Sequence, residues 1–513
     1  MSSSTSTLES LFQALRVVGS NLIFIIPSFL TVYFLYARYS SPLRRIPGPF
    51  LASGSIIPRL LVLKQGRAHS WDQDQHKKFG PIVRIGPAHV AVSKPEAISQ
   101  IYGVKTKFYK SQFFLTFSTY DEEGLVPDPF VLREREMHTR MRRSGANAFA
   151  LKSLPSYEKN VDKVIQRFIA NADQKYVDRP CDFGRVAQNV IADSIFAAIF
   201  GNDQRLIETD DSNNVSLKIE RYMNWATITG VIPWIHRYFL QNMFVFMCFI
   251  ATDNMFQAGI DISLAALARI RSGNVAADVP EEGYDTMLRK LAFLQHDKPD
   301  LLKDREMMIH TYGGVIAGSD TSSTALRSIF YFLLKNPETY SKLCDEIRGS
   351  GFTVPVSFAD ASSLPYLGAV IREALRIHSP VGMMLPRSVP AGGVTIDGYY
   401  LPAGTEVGIS PWVLHHDPNV FPNPERFYPD RWLTKDAEAL VRMNRSFFAF
   451  GHGIHTCIGQ HMSSMMLTKI IASMLLAFDL EFVNPNENWH FTSRFFTYQH
   501  GINVRFRHIK SKA

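Results

Sequence analysis

The stretch Phe450-Gly451-His452-Gly453-Ile454-His455-Thr456-Cys457-Ile458-Gly459 sets three glycines around one cysteine. Glycine lets the backbone turn tightly and approach a ligand closely. Such a loop also aims backbone N–H groups at the sulfur, which favours the thiolate over the thiol. The following Gln460–Phe478 stretch has a helical pattern, and its N-terminal dipole adds to that effect. Other readings are open at this point. A buried, inert cysteine is the common fate of the residue. Zinc held by His452, His455, Cys457 and His461 has suitable ligand types but not the pair-plus-pair spacing of common zinc sites. A dinucleotide loop fails, because the third glycine of GxGxxG falls on Thr456.

Moving outward, three helical segments carry further polar groups. Glu373-Ala374-Leu375-Arg376 puts a carboxylate and a guanidinium at i and i+3, on one helix face, where they pair sideways. Taken alone, this is an ordinary surface pair. Thr311–Leu326 reads TYGGVIAGSDTSSTAL inside a long helical pattern. Gly313, Gly314 and Gly318 each cost roughly 1 kcal/mol relative to alanine there, so something needs the space. His138-Thr139-Arg140-Met141-Arg142 sets His138 and Arg142 one turn apart.

In this order, from roughly Pro47 to the C-terminus, these segments resemble the haem-thiolate monooxygenases of the cytochrome P-450 superfamily. Phe450–Gly459 matches that family's cysteine loop, Phe-Gly-x-Gly-x-(Arg/His)-x-Cys-x-Gly. The resemblance implies haem b (iron protoporphyrin IX), with Cys457 as axial ligand of its iron and Phe450 among the cofactor-binding residues. It implies a structural triad in which a second arginine joins Glu373 and Arg376. Arg431, 26 residues before Cys457, suits the family spacing better than Arg426, 31 before it. Ala317-Gly318-Ser319-Asp320-Thr321 matches (Ala/Gly)-Gly-x-(Asp/Glu)-Thr, where the family's helix opens beside the haem. By resemblance Gly318, Asp320 and Thr321 are catalytic: Thr321 hydrogen-bonds bound oxygen or its water, and Asp320 helps deliver protons.

His138, Arg142, Arg387 and His455 resemble the family's haem-propionate partners, and arginine suits a carboxylate through its fork of donors. His455 stands where arginine is commoner, which implies weaker or more pH-dependent pairing. Ser463-Ser464-Met465-Met466 departs from relatives, which often show Ala and Glu there; the departure bears on a flanking contact, not on the ligand. Family analogy draws the substrate lining from Phe108–Pro127, Trp225–Trp234, Gly314–Thr321, Val381–Leu385 and Phe495–Tyr498. These pieces are rich in Phe, Tyr, Met and Val, so an apolar small molecule is expected.

Composition agrees with a large folded enzyme. The 513 residues are 46% hydrophobic and carry 55 Lys+Arg against 47 Asp+Glu, a net +8. That balance excludes a disordered chain, and the near-zero mean hydropathy excludes a polytopic transporter. Without a long Lys/Arg tract, nucleic acid is not an expected partner. Four widely spaced cysteines indicate a reducing compartment, not a disulfide framework.

Val17–Ala37 runs 21 residues without a charge, about 31 Å as a helix, and suits a single transmembrane anchor. Arg38, Arg44 and Arg45 follow it and place the C-terminal side in the cytosol. The sequons at Asn214 and Asn444 are then expected to stay unglycosylated. The organisation expected is a lumenal segment (1–16), the anchor (17–37), a basic and Pro-rich linker (38–50) and one haem-thiolate domain (51–513). Its fold class is mainly α with small β-sheets. Helices are expected at Leu154–Ile169, Phe183–Phe200, Asp253–Ile270, Asp304–Leu334, Tyr340–Arg348 and Leu364–His378. A strand pair is expected around Gly86-Pro87 and short strands between Val389 and Ile409. Phe239–Ala251 is a second apolar stretch, either core or membrane-dipping.

The resulting expectation is an endoplasmic-reticulum, single-pass monooxygenase with a cytosolic catalytic domain. It would insert one atom of O2 into its substrate. No flavin or nicotinamide motif is evident, so a separate NADPH-dependent flavoprotein reductase is the expected electron partner. The stretch from Ile46 to Phe114 looks most like filamentous-fungal, pisatin-demethylase-like members, which suggests specialised-metabolite oxidation. A haem-thiolate isomerase or dehydratase acting on a peroxide, and a non-catalytic haem sensor, are the rival classes. Intact Asp320 and Thr321 argue against the isomerase.

Overall fold

The long apolar patterns fold as helices whose ends carry recognisable stop signals. The computed structural model describes residues 24–509, apart from 119, 122–123, 203, 211–214, 235–264, 266 and 269–284. The stretch Phe239–Ala251 and most of Asp253–Ile270 lie outside the described residues. Eight helices matter for the site: α1 (24–39), α2 (Arg135–Ala146), α3 (Leu154–Lys175), α4 (Phe183–Phe200), α5 (Val215–Gly230), α6 (Gly314–Lys335), α7 (Pro365–Ile377) and α8 (Gln460–Ala477). α4 shows how sequence sets the ends. The Asp182 carboxylate caps it by accepting from the Gly184 N–H, and Gly201 at φ +82° stops it in the left-handed conformation.

The helical layer is centred on α4, α6 and α8, which are apolar nearly all round and therefore buried. Leu326, Phe330 and Leu333 of α6 and Ile470, Ile471 and Leu475 of α8 have no exposed surface. Each such side chain contributes about 1.5–3 kcal/mol on burial. The one lysine in this core, Lys469 of α8, reaches Glu158 and Asp162 of α3 at 2.5 and 2.8 Å. Glycines in α6 serve this packing. A Cβ on Gly318 would lie 2.9 Å from Ile195 Cδ1 of α4, and one on Gly314 would lie 3.3 Å from Ile199 Cδ1.

Beside the helices lies a five-stranded sheet of β1 (Ile82–Gly86), β2 (His89–Val92), β3 (Tyr109–Lys110), β4 (Arg387–Ser388) and β5 (Glu406–Ile409), in the order β1-β2-β5-β4-β3. Only β2 and β5 pair in parallel. The expected pair around Gly86-Pro87 is β1–β2, with a register irregularity between Arg84 and Gly86. A hairpin of β6 (His490–Ser493) and β7 (Thr497–His500) packs β7 against α6.

Two features differ from expectation in detail. The helical pattern Asp304–Leu334 is divided: a wide π turn at Ile309–Gly313 separates Asp304–Met308 from α6. The local opening therefore falls upstream of Ala317–Thr321, which is regular α-helix here. Residues 42–46 pack onto the domain, with Leu43 and Ile46 in its core. Arg84 of β1 donates to the Ala37 and Arg38 carbonyls at 2.8 and 3.2 Å, satisfying the C-terminal end of α1. Among the described residues no helix is long and apolar enough to cross a membrane. α1 nevertheless exposes Phe24, Ile25, Phe29, Leu30 and Val32.

Candidate active site

Glu373 on α7 is fully buried and saturated with donors. Arg376 gives it two hydrogen bonds, from Nε to Oε2 at 3.0 Å and from Nη2 to Oε1 at 2.9 Å. Arg431 Nε donates to Oε1 at 3.0 Å, Trp432 Nε1 to Oε2 at 2.9 Å, and the Tyr428 N–H to Oε1 at 3.0 Å. Arg426 offers its backbone carbonyl to both arginines at 3.3 Å. Arg376 Nη1 donates to the His415 carbonyl at 2.8 Å. His415 Nδ1 lies 3.1 Å from the Arg376 carbonyl, and Nε2 accepts from the Phe448 N–H at 2.8 Å. That pattern fixes the tautomer with the proton on Nδ1. His415 thus links the buried ion cluster to Phe448, just before the cysteine loop. Neither His415 nor Trp432 stood out in the sequence, where each is one aromatic among many.

The loop itself turns through Gly451 (φ +70°) and Gly453 (φ +67°) and is closed by the Cys457 N–H on the Phe450 carbonyl, 2.8 Å. A Cβ on Gly453 would stand 1.9 Å from the Tyr102 carbonyl oxygen, so no side chain fits there. The Cys457 surface is accessible, yet the residue lies deep in the protein. Burial pushes its thiol pKa up. The Gly459 and Gln460 N–H groups and Arg142 pull the other way, as the loop's sequence implies, but do not outweigh burial. A metal cation at the sulfur reverses that balance, since a coordinating thiol is deprotonated outright.

Five basic residues gather on the same side as Cys457. His138 of α2 and His455 of the loop approach at 3.2 Å, Nε2 to Nδ1, with ring centroids 4.4 Å apart. Arg387 of β4 is buried over the Tyr102 and Phe114 rings, at 4.9 and 5.5 Å. Lys110 of β3 is buried too, donating to the Phe130 carbonyl at 2.8 Å and to the Pro129 carbonyl. Burial first, then Arg387, Lys110, His138 and Arg142, hold the His455 pKa far below the usual histidine range. Burial, then Lys110, Arg142 and Arg387, bring His138 to about 3. Arg387 is lowered to about 10 by burial.

Arg387 Nε and His138 Nδ1 are buried without a hydrogen-bond partner. Buried cations ordinarily carry matched carboxylates; the acid acting on Lys110 is Asp128 alone among its main influences. This donor set fits a group that bears carboxylates of its own, as haem does. Lys110 was absent from the sequence expectations, although it is the lone charge between Phe108 and Tyr120.

On α6, Thr321 donates from Oγ1 to the Ala317 carbonyl at 2.7 Å. Asp320 points elsewhere, into the interior: Oδ2 accepts from Tyr498 OH at 3.0 Å and Oδ1 from Gln188 Nε2 at 3.2 Å. Burial raises its pKa to about 6, against the lowering pull of Tyr498, Arg327 and Gln188. The space beside Gly318 belongs to Ile195, so that glycine serves the α4–α6 contact. The Phe113, Phe114, Phe117, Phe130 and Phe495 rings interlock at centroid distances of 5.2–6.1 Å.

A thiol loop held by a buried ion cluster, basic side chains gathered near it and a helix carrying Asp-Thr form the arrangement that the resemblance implies for a haem-thiolate site. The sequence model of cytochrome P-450 matches residues 47–505, and the chain belongs to that family. It is a monooxygenase by that membership, with haem iron as cofactor and O2 as oxidant. It is 30% identical over 486 residues to the cytochrome P-450 monooxygenase mpaDE' of Penicillium brevicompactum, covering 92% of this chain and 56% of that protein. The chain therefore spans little more than half of that relative. It is 30% identical over 489 residues to the monooxygenase cicH of Emericella nidulans, covering 93% of this chain and 96% of that one. Pisatin demethylase of Fusarium vanettenii is 30% identical over 479 residues, 89% of each chain.

Proposed function

We propose that this chain is a membrane-anchored monooxygenase that holds haem b through Cys457 and inserts one oxygen atom into an apolar small molecule. The observation that carries the reading is the group of buried and half-buried basic side chains on the Cys457 side, which Asp128 alone offsets. When bound, thiolate-ligated haem iron supplies the activation of O2. The chain's own residues do the rest. Arg142, Arg387, Lys110 and His138, with His455, would take the propionates through charge-assisted hydrogen bonds and so fix the porphyrin's rotation. The Glu373–Arg376–Arg431 cluster, through His415, keeps the cysteine loop in one shape. Asp320, with a pKa near 6, exists in both protonation states near neutral pH and suits proton delivery. The Thr321 oxygen keeps lone pairs free to accept a hydrogen bond. The phenylalanine wall supports an apolar substrate.

Electrons come from a separate NADPH-dependent flavoprotein reductase. The exposed apolar face of α1, continued by Phe50, Leu51, Ile57 and Leu61, supports a single-pass anchor in the endoplasmic reticulum with the catalytic domain cytosolic. Likeness to fungal relatives supports a place in specialised metabolism. The test is the absorption spectrum of the reduced, CO-bound protein. The wild type shows the thiolate-type band and Cys457→Ala loses it; a haem-loaded wild type without that band ends the assignment. Comparing metabolites of a source strain with those of a Cys457→Ala strain then identifies the substrate.

A further inference from the structure

Asp320 and Thr321 are neighbours in sequence, but successive helix residues point about 100° apart. Thr321 is half-exposed, whereas the Asp320 carboxylate is enclosed between α6, α4 and β7. Both its oxygens are claimed, one by Tyr498 OH and one by Gln188 Nε2. Gln188 is itself held, with its Oε1 accepting from Arg327 Nη2 at 2.9 Å. Tyr498 is held by its strand: Thr324 Oγ1 donates to the Thr497 carbonyl at 3.0 Å, and Gln499 Nε2 donates to the Thr324 carbonyl at 3.0 Å. Thr324 lies one turn beyond Asp320, so β7 is clamped to α6 at the place that sets the Tyr498–Asp320 bond.

This cluster leads outward. Glu220 of α5 acts electrostatically on Asp320, Tyr498, Arg327 and Arg494. It is 20% exposed and lies 4.0 Å from Nε2 of the surface residue His500. Asp182 acts on Arg327 from the start of α4. These are the charged and titratable groups facing Asp320 from the elements around it.

We propose that Tyr498 is the positioning residue for proton delivery: its hydroxyl holds the Asp320 carboxylate away from the Thr321 side of α6. The step moves protons only. Each proton Asp320 releases is replaced by one taken from water, and no electron is transferred. The proposal rests on the reading of Asp320 as the proton-delivering acid.

The experiment uses the full-length holoenzyme with an NADPH–flavoprotein reductase and needs no substrate, because NADPH-driven O2 consumption is followed directly. Two readouts are taken on wild type, Asp320→Asn and Tyr498→Phe. The first is the infrared carboxylic-acid band that disappears in Asp320→Asn, titrated with pH. The second is the pH profile of O2 consumption in H2O and D2O. The Tyr498 hydroxyl donates to the charged carboxylate, so its loss raises the proton affinity of Asp320. The infrared midpoint should rise in Tyr498→Phe by about tenfold in proton affinity, with the pH profile following and the D2O effect growing.

Wild-type midpoints and profile in Tyr498→Phe, alongside a lost pH limb in Asp320→Asn, refute the role of Tyr498. An Asp320→Asn protein with the wild-type profile refutes the underlying reading of Asp320 instead. Should Tyr498→Phe fail to retain haem, fluorotyrosine in place of tyrosine makes the Tyr498 hydroxyl a stronger donor to the same carboxylate and must lower the infrared midpoint of Asp320; an unchanged midpoint there refutes the proposal.

Discussion

The site holds two clusters of buried arginine and histidine, built on opposite principles. Around Glu373, two guanidiniums, an indole N–H and a backbone N–H converge on one carboxylate, and His415 uses both ring nitrogens. Around His138 and His455, Lys110, Arg142 and Arg387 raise each other's electrostatic cost. The first cluster is complete within the chain and so belongs to the scaffold. The second has no carboxylate beyond Asp128 acting on it, and in the proposed function an anion from outside would complete it. Residue type does not distinguish them; the presence of a matched carboxylate does.

Breaking the first cluster should have the largest effect. Glu373→Ala leaves Arg376 and Arg431 buried with no counter-charge, which costs about 3–5 kcal/mol. Urea unfolding should show that loss with and without haem. The second cluster should respond with opposite signs in the two states. Arg387→Met removes a buried cation on which no carboxylate acts, so the haem-free protein should become more stable by roughly 1–2 kcal/mol. The same change removes a charge-assisted bond to the propionates, worth about 1.5–3 kcal/mol, so haem should dissociate roughly ten- to a hundredfold faster. Loss of stability in the haem-free Arg387→Met protein would erase the distinction between the clusters.

Acid sharpens the comparison. The His138 pKa is lowered by burial to about 3 in the folded protein, against the usual 6.5 of histidine. The unfolded chain therefore binds the proton first, and His138 takes stability away as pH falls from about 6.5 toward about 3. A propionate beside His138 raises its folded pKa and shrinks that loss. Acid titration followed by circular dichroism should show haem-free protein unfolding at higher pH than haem-loaded protein. His138→Gln should move the haem-free midpoint to lower pH.

The two clusters were unequally legible in the sequence. Cys457, Glu373 and Arg376 lie in contiguous motifs, where helix periodicity and glycine spacing state the geometry directly. Arg431 needed a spacing argument. His415 and Trp432 were hidden, because their contribution is a hydrogen bond across more than 30 residues of chain, from His415 to Phe448 and from Trp432 to Glu373. Lys110 was hidden for a different reason: it stands in an apolar run whose neighbours drew the reading toward substrate lining. The divided helix before Gly314 could not be read either, since a π turn and an α-turn share the same apolar pattern.

The smallest effect should come from a charge pair that touches the first cluster without belonging to it. Lys342 donates to Asp430, the residue before Arg431, and lies 4.1 Å from the Tyr366 ring centroid. The hydrogen bond to Asp430 raises the lysine's pKa. Both partners are substantially exposed, at 53% and 35%, so water and salt screen the pair. Exposed pairs of this kind are worth about 0–1 kcal/mol. Lys342→Met should therefore change urea stability by less than about 1 kcal/mol and leave haem retention unchanged, even though Asp430 adjoins Arg431 in the chain. A loss approaching that of Glu373→Ala would mean that the scaffold cluster extends to the surface, and that burial with a matched carboxylate is not what defines it.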